Sequence, residues 1–151
     1  MTISLLLPSI TAAIDDISVS GVTIKDYDGV VANWSSQPNV LYPDPENFIT
    51  DWSIEYAAFN RGSSAPMNVN YTLNYRFLGE MVGDVSQFPT GYSNMITKLI
   101  LILNAMIGED DPYSGAVDME VYSVLIGPRD DPAGNQYFGA DIALRIMEMQ
   151  N

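Results

Sequence analysis

From Met67 to Phe77 the chain alternates without a fault, with Met67, Val69, Tyr71, Leu73, Tyr75 and Phe77 on one side and Asn68, Asn70, Thr72, Asn74 and Arg76 on the other. A period of two sends successive side chains to opposite faces of a strand. This segment therefore predicts a long strand with one face in a core and a largely neutral, amide-rich face toward water or a partner. At about 3.4 Å per residue it would run roughly 40 Å, long enough to stand out from the domain as half of a hairpin.

The flanking pattern supplies the other elements. Ile10, Ile14 and Ile17 fall at helical spacing, with Pro8 admissible in a first turn, and Gly21 follows as a stop. Val22 to Tyr27 alternates as a strand ending at the Asp28-Gly29 turn signal, and Asn39 to Tyr42 is a short strand barred from continuing by Pro43 and Pro45. Trp52 to Phe59 reads as a third strand, joined through Arg61 to Pro66 to the long one. After the breakers Pro89 and Gly91, a helix spans Tyr92 to Ile107, with a stripe of Ile96, Leu99, Ile100, Leu103 and Ile107. Met95, Ile102 and Met106 widen that stripe past the usual arc, so these three are candidates for a second covered side, a subunit interface, with a loop or the first helix as an equally physical cover. Two strands close the chain, Ala116 to Ile126 and Gln136 to Glu148, separated by the breaker-rich stretch Gly127 to Asn135. The order implies an α+β fold, a mainly antiparallel mixed sheet flanked by two helices with a long strand or hairpin, in a single domain over 1–151.

Composition removes much of the functional menu. Among 151 residues there is neither histidine nor cysteine, which excludes thiol or imidazole nucleophiles and the usual zinc and copper sites. Six basic residues stand against nineteen acidic ones, for a net charge of −13. Lys25, Arg61, Arg76, Lys98, Arg129 and Arg145 are scattered, so neither nucleic acid nor an anionic membrane has an electrostatic partner here. The run Leu99 to Leu103 is far short of the roughly 20 residues of a membrane span. The apolar segment Met1 to Ala13 has no cation before Lys25 and is broken by Pro8, so export by it is not expected. The acid is also uneven. Residues 1–60 hold eight acids and one base, residues 61–100 two acids and three bases, and residues 101–151 nine acids and two bases.

No constellation rises to an active site. Asp26-Tyr27-Asp28-Gly29 resembles the opening of a calcium loop, but the remaining acids of that pattern are missing. Glu109-Asp110-Asp111 and Asp130-Asp131 are acidic loop clusters whose spacing sets no pair across a cleft, and Gly127, Gly134 and Gly139 fit no phosphate-binding pattern. No catalytic residue, cofactor or metal is expected, and the chain is not expected to be an enzyme.

The short first helix, the strand ending in Asp26-Tyr27, the Pro-rich segment around Val40-Leu41-Tyr42-Pro43, the long alternating strand, the apolar helix and the closing Asn135-Gln136-Tyr137-Phe138-Gly139-Ala140-Asp141-Ile142-Ala143-Leu144 together resemble the tail terminator and tail-completion proteins of long-tailed bacteriophages. The resemblance covers nearly the whole chain in order, through short apolar motifs. It implies a structural virion protein of the tail or neck, assembled in the host cytoplasm. Such a protein forms a six-fold homo-oligomeric ring that stops growth of the tail tube, docks the head or neck, and lets DNA pass without specific binding. Its partners would be the tail tube protein and a neck or head-completion protein, with no membrane. On that reading, the neutral face Asn70, Thr72 and Asn74 would supply or extend an intersubunit sheet. Candidates for carboxylates on the channel wall are Asp15, Asp16, Asp118, Glu120, Asp130 and Asp131, where repulsion would keep the duplex from sticking. A neck or head-completion ring protein is the related alternative. From other classes, a small acidic binding module and a carboxylate- or metal-dependent enzyme compete.

Overall fold

The computed structural model describes residues 5–32, 34, 37–56, 67–107 and 117–150. Its elements are α1 (Leu7–Asp15), β1 (Thr23–Ile24), α2 (Tyr27–Ala32), β2 (Val40–Pro43), β3 (Ile49–Tyr56), β4 (Met67–Met81), α3 (Phe88–Ile107), β5 (Val117–Asp130) and β6 (Gln136–Gln150). The fold is α+β, built on one mixed sheet with the order β1-β2-β4-β6-β5. Only β1 and β2 run parallel, and every other pair is antiparallel.

The alternating segment becomes β4, the strand about which the sheet is organised. One edge of β4 pairs with β6 from Met67↔Gln150 to Leu78↔Gly139. Its other edge is shared end to end, β3 pairing along Met67 to Leu73 and β2 along Tyr75 to Leu78. Asn74 sits at the splice. Its backbone N–H donates to the Phe48 carbonyl at 2.8 Å, and its own carbonyl accepts from the Asp44 N–H at 3.0 Å. Its side-chain amide reaches the Asn47 carbonyl and the Thr50 hydroxyl, both at 2.9 Å.

The odd-numbered β4 residues Val69 to Phe77 and the even-numbered β6 residues Phe138 to Ile146 form a core under α1 and α3. From α1 come Ile10 and Ile14, and from α3 come Met95, Leu99, Ile102 and Met106. Pro8 occupies the first turn of α1, where its missing N–H costs nothing. Beneath that end of the helix lies the buried carboxylate of Glu148, which accepts from the Leu6 N–H and from the Tyr71 hydroxyl. Negative charge at a helix N-terminus is favourable, so a single acid serves both the strand and the helix.

Several boundaries differ from the sequence reading. Asp28-Gly29 is no turn but part of α2, because Asp26, just before the helix, accepts from the Gly29 N–H three residues on at 2.7 Å and so caps it. Pro89 and Gly91 lie inside α3, which begins at Phe88. Gly91 is a contact point, since a Cβ there would stand 2.3 Å from the Phe138 ring. Gly127 to Asp130 continue β5 as strand. The long strand does not stand out as a free hairpin arm, because both its edges are paired. Residues 57–66 and the Glu109-Asp110-Asp111 cluster lie outside the described residues.

Candidate functional site

Among the described residues, the second face of the sheet is covered at one corner only. There Val30 of α2 and Trp34 pack on Val40, Tyr42, Leu78 and Tyr137 in a small second cluster. Over the rest of this face, no helix among the described residues covers the even-numbered residues of β4 or the odd-numbered residues of β6. At its middle, Asp141 is held by two arginines, Arg76 Nε on Oδ1 and Arg129 Nε on Oδ2, each at 2.8 Å. Burial works against the Arg76 charge, but the hydrogen bond and charge of Asp141 outweigh it and hold the guanidinium above its ordinary pKa. Gly139 makes room for this bridge. A Cβ there would meet the Arg129 stem at 3.0 Å and the Phe77 carbonyl at 2.8 Å.

On the β3 side of the bridge the face sinks into a trough of two adjoining hollows. The first, of about 480 Å³, is lined by Asp51, Ser53, Glu55, Asn70, Thr72, Tyr122 and Arg145 among others. The second, of about 460 Å³, shares Asn70 and Arg145 and adds Asp118, Met119, Glu120 and Met147. Arg145 lies over the Tyr122 ring at 3.9 Å from its centroid and 3.6 Å from Glu120. A bulge between Thr50 and Ser53 shapes the rim. Asp51 adopts a left-handed φ of 59° there, a conformation aspartate tolerates better than most residues, and the next residue, Trp52, turns back to lie on Tyr71.

On the other side lies a cleft of about 490 Å³ between Tyr42, Asp44, Glu46, Arg76, Asp130 and Asp131. Burial pushes the Tyr42 hydroxyl up to about 12, against the lowering influence of Arg76. Asp131 is buried and structural, accepting from the Ala133 and Asn135 N–H groups at 2.9 Å each and closing the β5–β6 turn.

The residues singled out from sequence fall as follows. Met95, Ile102 and Met106 are not surface residues. They are 1%, 0% and 4% exposed and packed against the sheet within the same chain. The stripe was read out of phase, and the outward apolar residues of α3 are Ile100, Leu101 and Ile107. Asn70, Thr72 and Asn74 do share the open face, but they belong to a strand with no free edge. Asn70 donates to Ser53 at 3.3 Å and Asn74 is spent on the splice, so extension of a sheet through β4 is closed. The six acids proposed for a channel wall do not converge. Asp118 and Glu120 stand together on β5 in the trough, Asp130 and Asp131 at the far end of β5, and Asp15 and Asp16 at the C-terminal end of α1. Asp131 is too buried to line a channel. Asp15, desolvated and beside Asp26 and Asp16, has its carboxyl pushed up to about 6. Sequence reading missed Asp51, Ser53, Glu55, Tyr122 and Arg145. The signal for one of them was available, since Tyr122 follows Asp118 and Glu120 at the strand period of two.

Three further exposed large apolar side chains lie on each of two outer strands, Trp52, Ile54 and Tyr56 on β3 and Tyr122, Leu125 and Ile126 on β5, while Tyr27, Met81, Val85 and Met149 are exposed elsewhere. Among the described residues no group of three or more acidic side chains is placed to hold a metal ion, and no helix is long and apolar enough to cross a membrane. No family model matches the chain, and no curated protein matches it. What the arrangement offers chemically is contact: two apolar sheet edges, an apolar helix face and an acidic trough.

Proposed function

We propose that this chain is a structural assembly protein that closes into a ring at the end of a phage tail tube, stopping its growth and docking the head or neck while DNA passes through. One relationship carries the reading. β3 and β5 lie on opposite edges of the same sheet, and each exposes three large apolar residues. Two different sticky surfaces on opposite sides of one subunit favour heterologous, head-to-tail contact, which generates a ring when the rotation closes. The outer face of α3, with Ile100, Leu101 and Ile107 and no acidic residue anywhere in the helix, adds a surface that copies of a −13 chain can bring together without repulsion.

The interface thus moves from Met95, Ile102 and Met106 to the outer strands and the outer face of α3. A neck or head-completion ring would use the same subunit contacts and differ in its neighbours. A small acidic binding module, acting alone, is favoured by the acids of the trough. Light scattering after size exclusion, with negative-stain imaging and addition of purified tail tubes, separates them. A ring that caps tubes supports the terminator, a ring indifferent to tubes supports the neck protein, and a strict monomer that ignores tubes sinks both.

A further inference from the structure

We propose that the cleft between β2 and the β5–β6 turn receives the Lys98 side chain of a second copy of this chain. The claim deepens the proposed function by naming one contact between subunits, and it rests on that reading only for the association of copies.

Tyr42 makes the cleft more than a cluster of acids. The residue is 1% exposed, and its hydroxyl makes no hydrogen bond of acceptable geometry. The charged groups that this hydroxyl feels, Arg76, Asp131 and Asp44, all line the cleft with it, so the unpartnered oxygen lies toward the cleft. Arg76 stands beside it, but its Nε is committed to Asp141 at 2.8 Å. A buried hydroxyl left unsatisfied is destabilising and gains from a donor brought to it.

The rest of the lining selects a lysine. Asp44, Glu46 and Asp130 line the cleft and form no ion pair among the described residues. An ammonium carries three donors, enough to serve two carboxylates and the tyrosine oxygen together. Pro45 and Pro132 add apolar wall against which a four-carbon stem can lie. Free anions are repelled, and among the described residues no three acids are placed to hold a metal ion.

This chain itself supplies the matching side chain. Of the described cations, Arg76 and Arg129 hold Asp141, Arg145 holds Glu120 and Lys25 lies 4.7 Å from the Trp34 ring, which leaves Lys98 with neither an ion pair nor a ring contact among the described residues. Lys98 is partly exposed, about one turn from the exposed Asn94 and Leu101, on a helix with no acidic residue. The helix packs on one face of the sheet and the cleft opens on the other, so the lysine serves the cleft of a neighbour rather than its own. Contact between two such unlike surfaces is heterologous, the kind that a ring requires.

The test is a charge swap in the whole chain, read by sedimentation equilibrium at low and physiological salt, with circular dichroism to confirm folding. Lys98→Glu and Glu46→Lys/Asp130→Lys should each weaken association about tenfold, and combining them in one chain should restore it to within about threefold. Lys98→Glu combined with Asp118→Lys/Glu120→Lys makes the same charge change in the trough and should restore nothing. Tyr42→Phe should weaken association about threefold while leaving the melting temperature of the dissociated chain unchanged or higher, because it removes an unsatisfied hydroxyl. In a mixture of unlabelled and nitrogen-15-labelled chains, carbodiimide should join Lys98 of one label to Asp44, Glu46 or Asp130 of the other. A strictly monomeric natural chain, a monomer whose cleft instead binds a lysine-containing peptide, rescue in the trough control, no rescue in the true swap, or association untouched by Tyr42→Phe overturns the proposal. An oligomer that forms without regard to Lys98 sinks this contact and spares the ring, whereas a lysine-dependent oligomer that never closes on negative-stain grids keeps the contact and sinks the ring.

Discussion

Tyr71 and Glu148 meet diagonally across the β4–β6 pair, and the tyrosine hydroxyl donates to a carboxylate that also accepts the N–H of Leu6 at the start of α1. The N-terminal helix is thus fastened to the last strand by a buried acid rather than by apolar packing alone. Removing the acid strands two donors at once.

Glu148→Ala should therefore cost on the order of 3 kcal/mol in urea denaturation, against about 1 kcal/mol for Tyr71→Phe, which leaves the helix contact in place. Hydrogen exchange should localise the damage. Amides of the first turn of α1 should lose protection in Glu148→Ala and keep it in Tyr71→Phe.

Asp15 makes stability depend on pH in an uncommon direction. Its carboxyl is raised from 3.8 to about 6 by burial and by Asp26 and Asp16, so between those values the folded chain holds a proton that the unfolded chain has lost. Stability from this group is present below about pH 4 and falls as pH rises through about 6. Asp15→Asn should raise the melting temperature at pH 7.5 and leave it unchanged at pH 4. An equal rise at both would mean that the gain is not electrostatic.

The two sides of α3 should separate folding from assembly. Ile102 is fully buried and Leu101 is 49% exposed. Ile102→Asp should unfold the chain by placing an unpaired charge in the core, whereas Leu101→Asp should keep the native circular dichroism and diminish only the oligomer seen by light scattering. A Leu101→Asp chain that still assembles fully would take the helix face out of the interface.

Gly91→Ala should destabilise by about 1–3 kcal/mol, because the added methyl overlaps the Phe138 ring, and Phe138→Leu in the same chain should recover part of the loss. A thermal-melt double-mutant cycle measures the coupling. Additive losses would mean that the ring moves aside without cost.

The alternation of β4 and β6 was legible because a period of two leaves no other regular structure for those residues. The α3 helix was legible in extent and wrong in phase. With nearly every position apolar from Met95 to Ile107, hydrophobicity no longer marks a face, and only the sheet decides that Met95 and Ile102 turn inward. Pro89 and Gly91 misled for a related reason, since a proline in a first turn and a glycine under an aromatic ring are compatible with a helix once a tertiary partner exists. The trough was illegible because its residues come from four strands, and no local pattern announces that Glu55, Asn70, Glu120 and Arg145 will share one hollow. Asp26 as a helix cap could have been read from spacing alone, but the competing turn signal of Asp28-Gly29 obscured it.

Asn74, where β2 and β3 meet end to end along β4, also sets how the sheet yields under load. A pull on the outer strand β3 breaks its ladder toward Leu73 one pair at a time and then meets four hydrogen bonds gathered at a single residue. Peeling should arrest there, with β2 and the corner beneath α2 still closed. The molecule thus carries a tear-stop, and an edge offered to a neighbour can be strained or even lifted without opening the rest of the sheet.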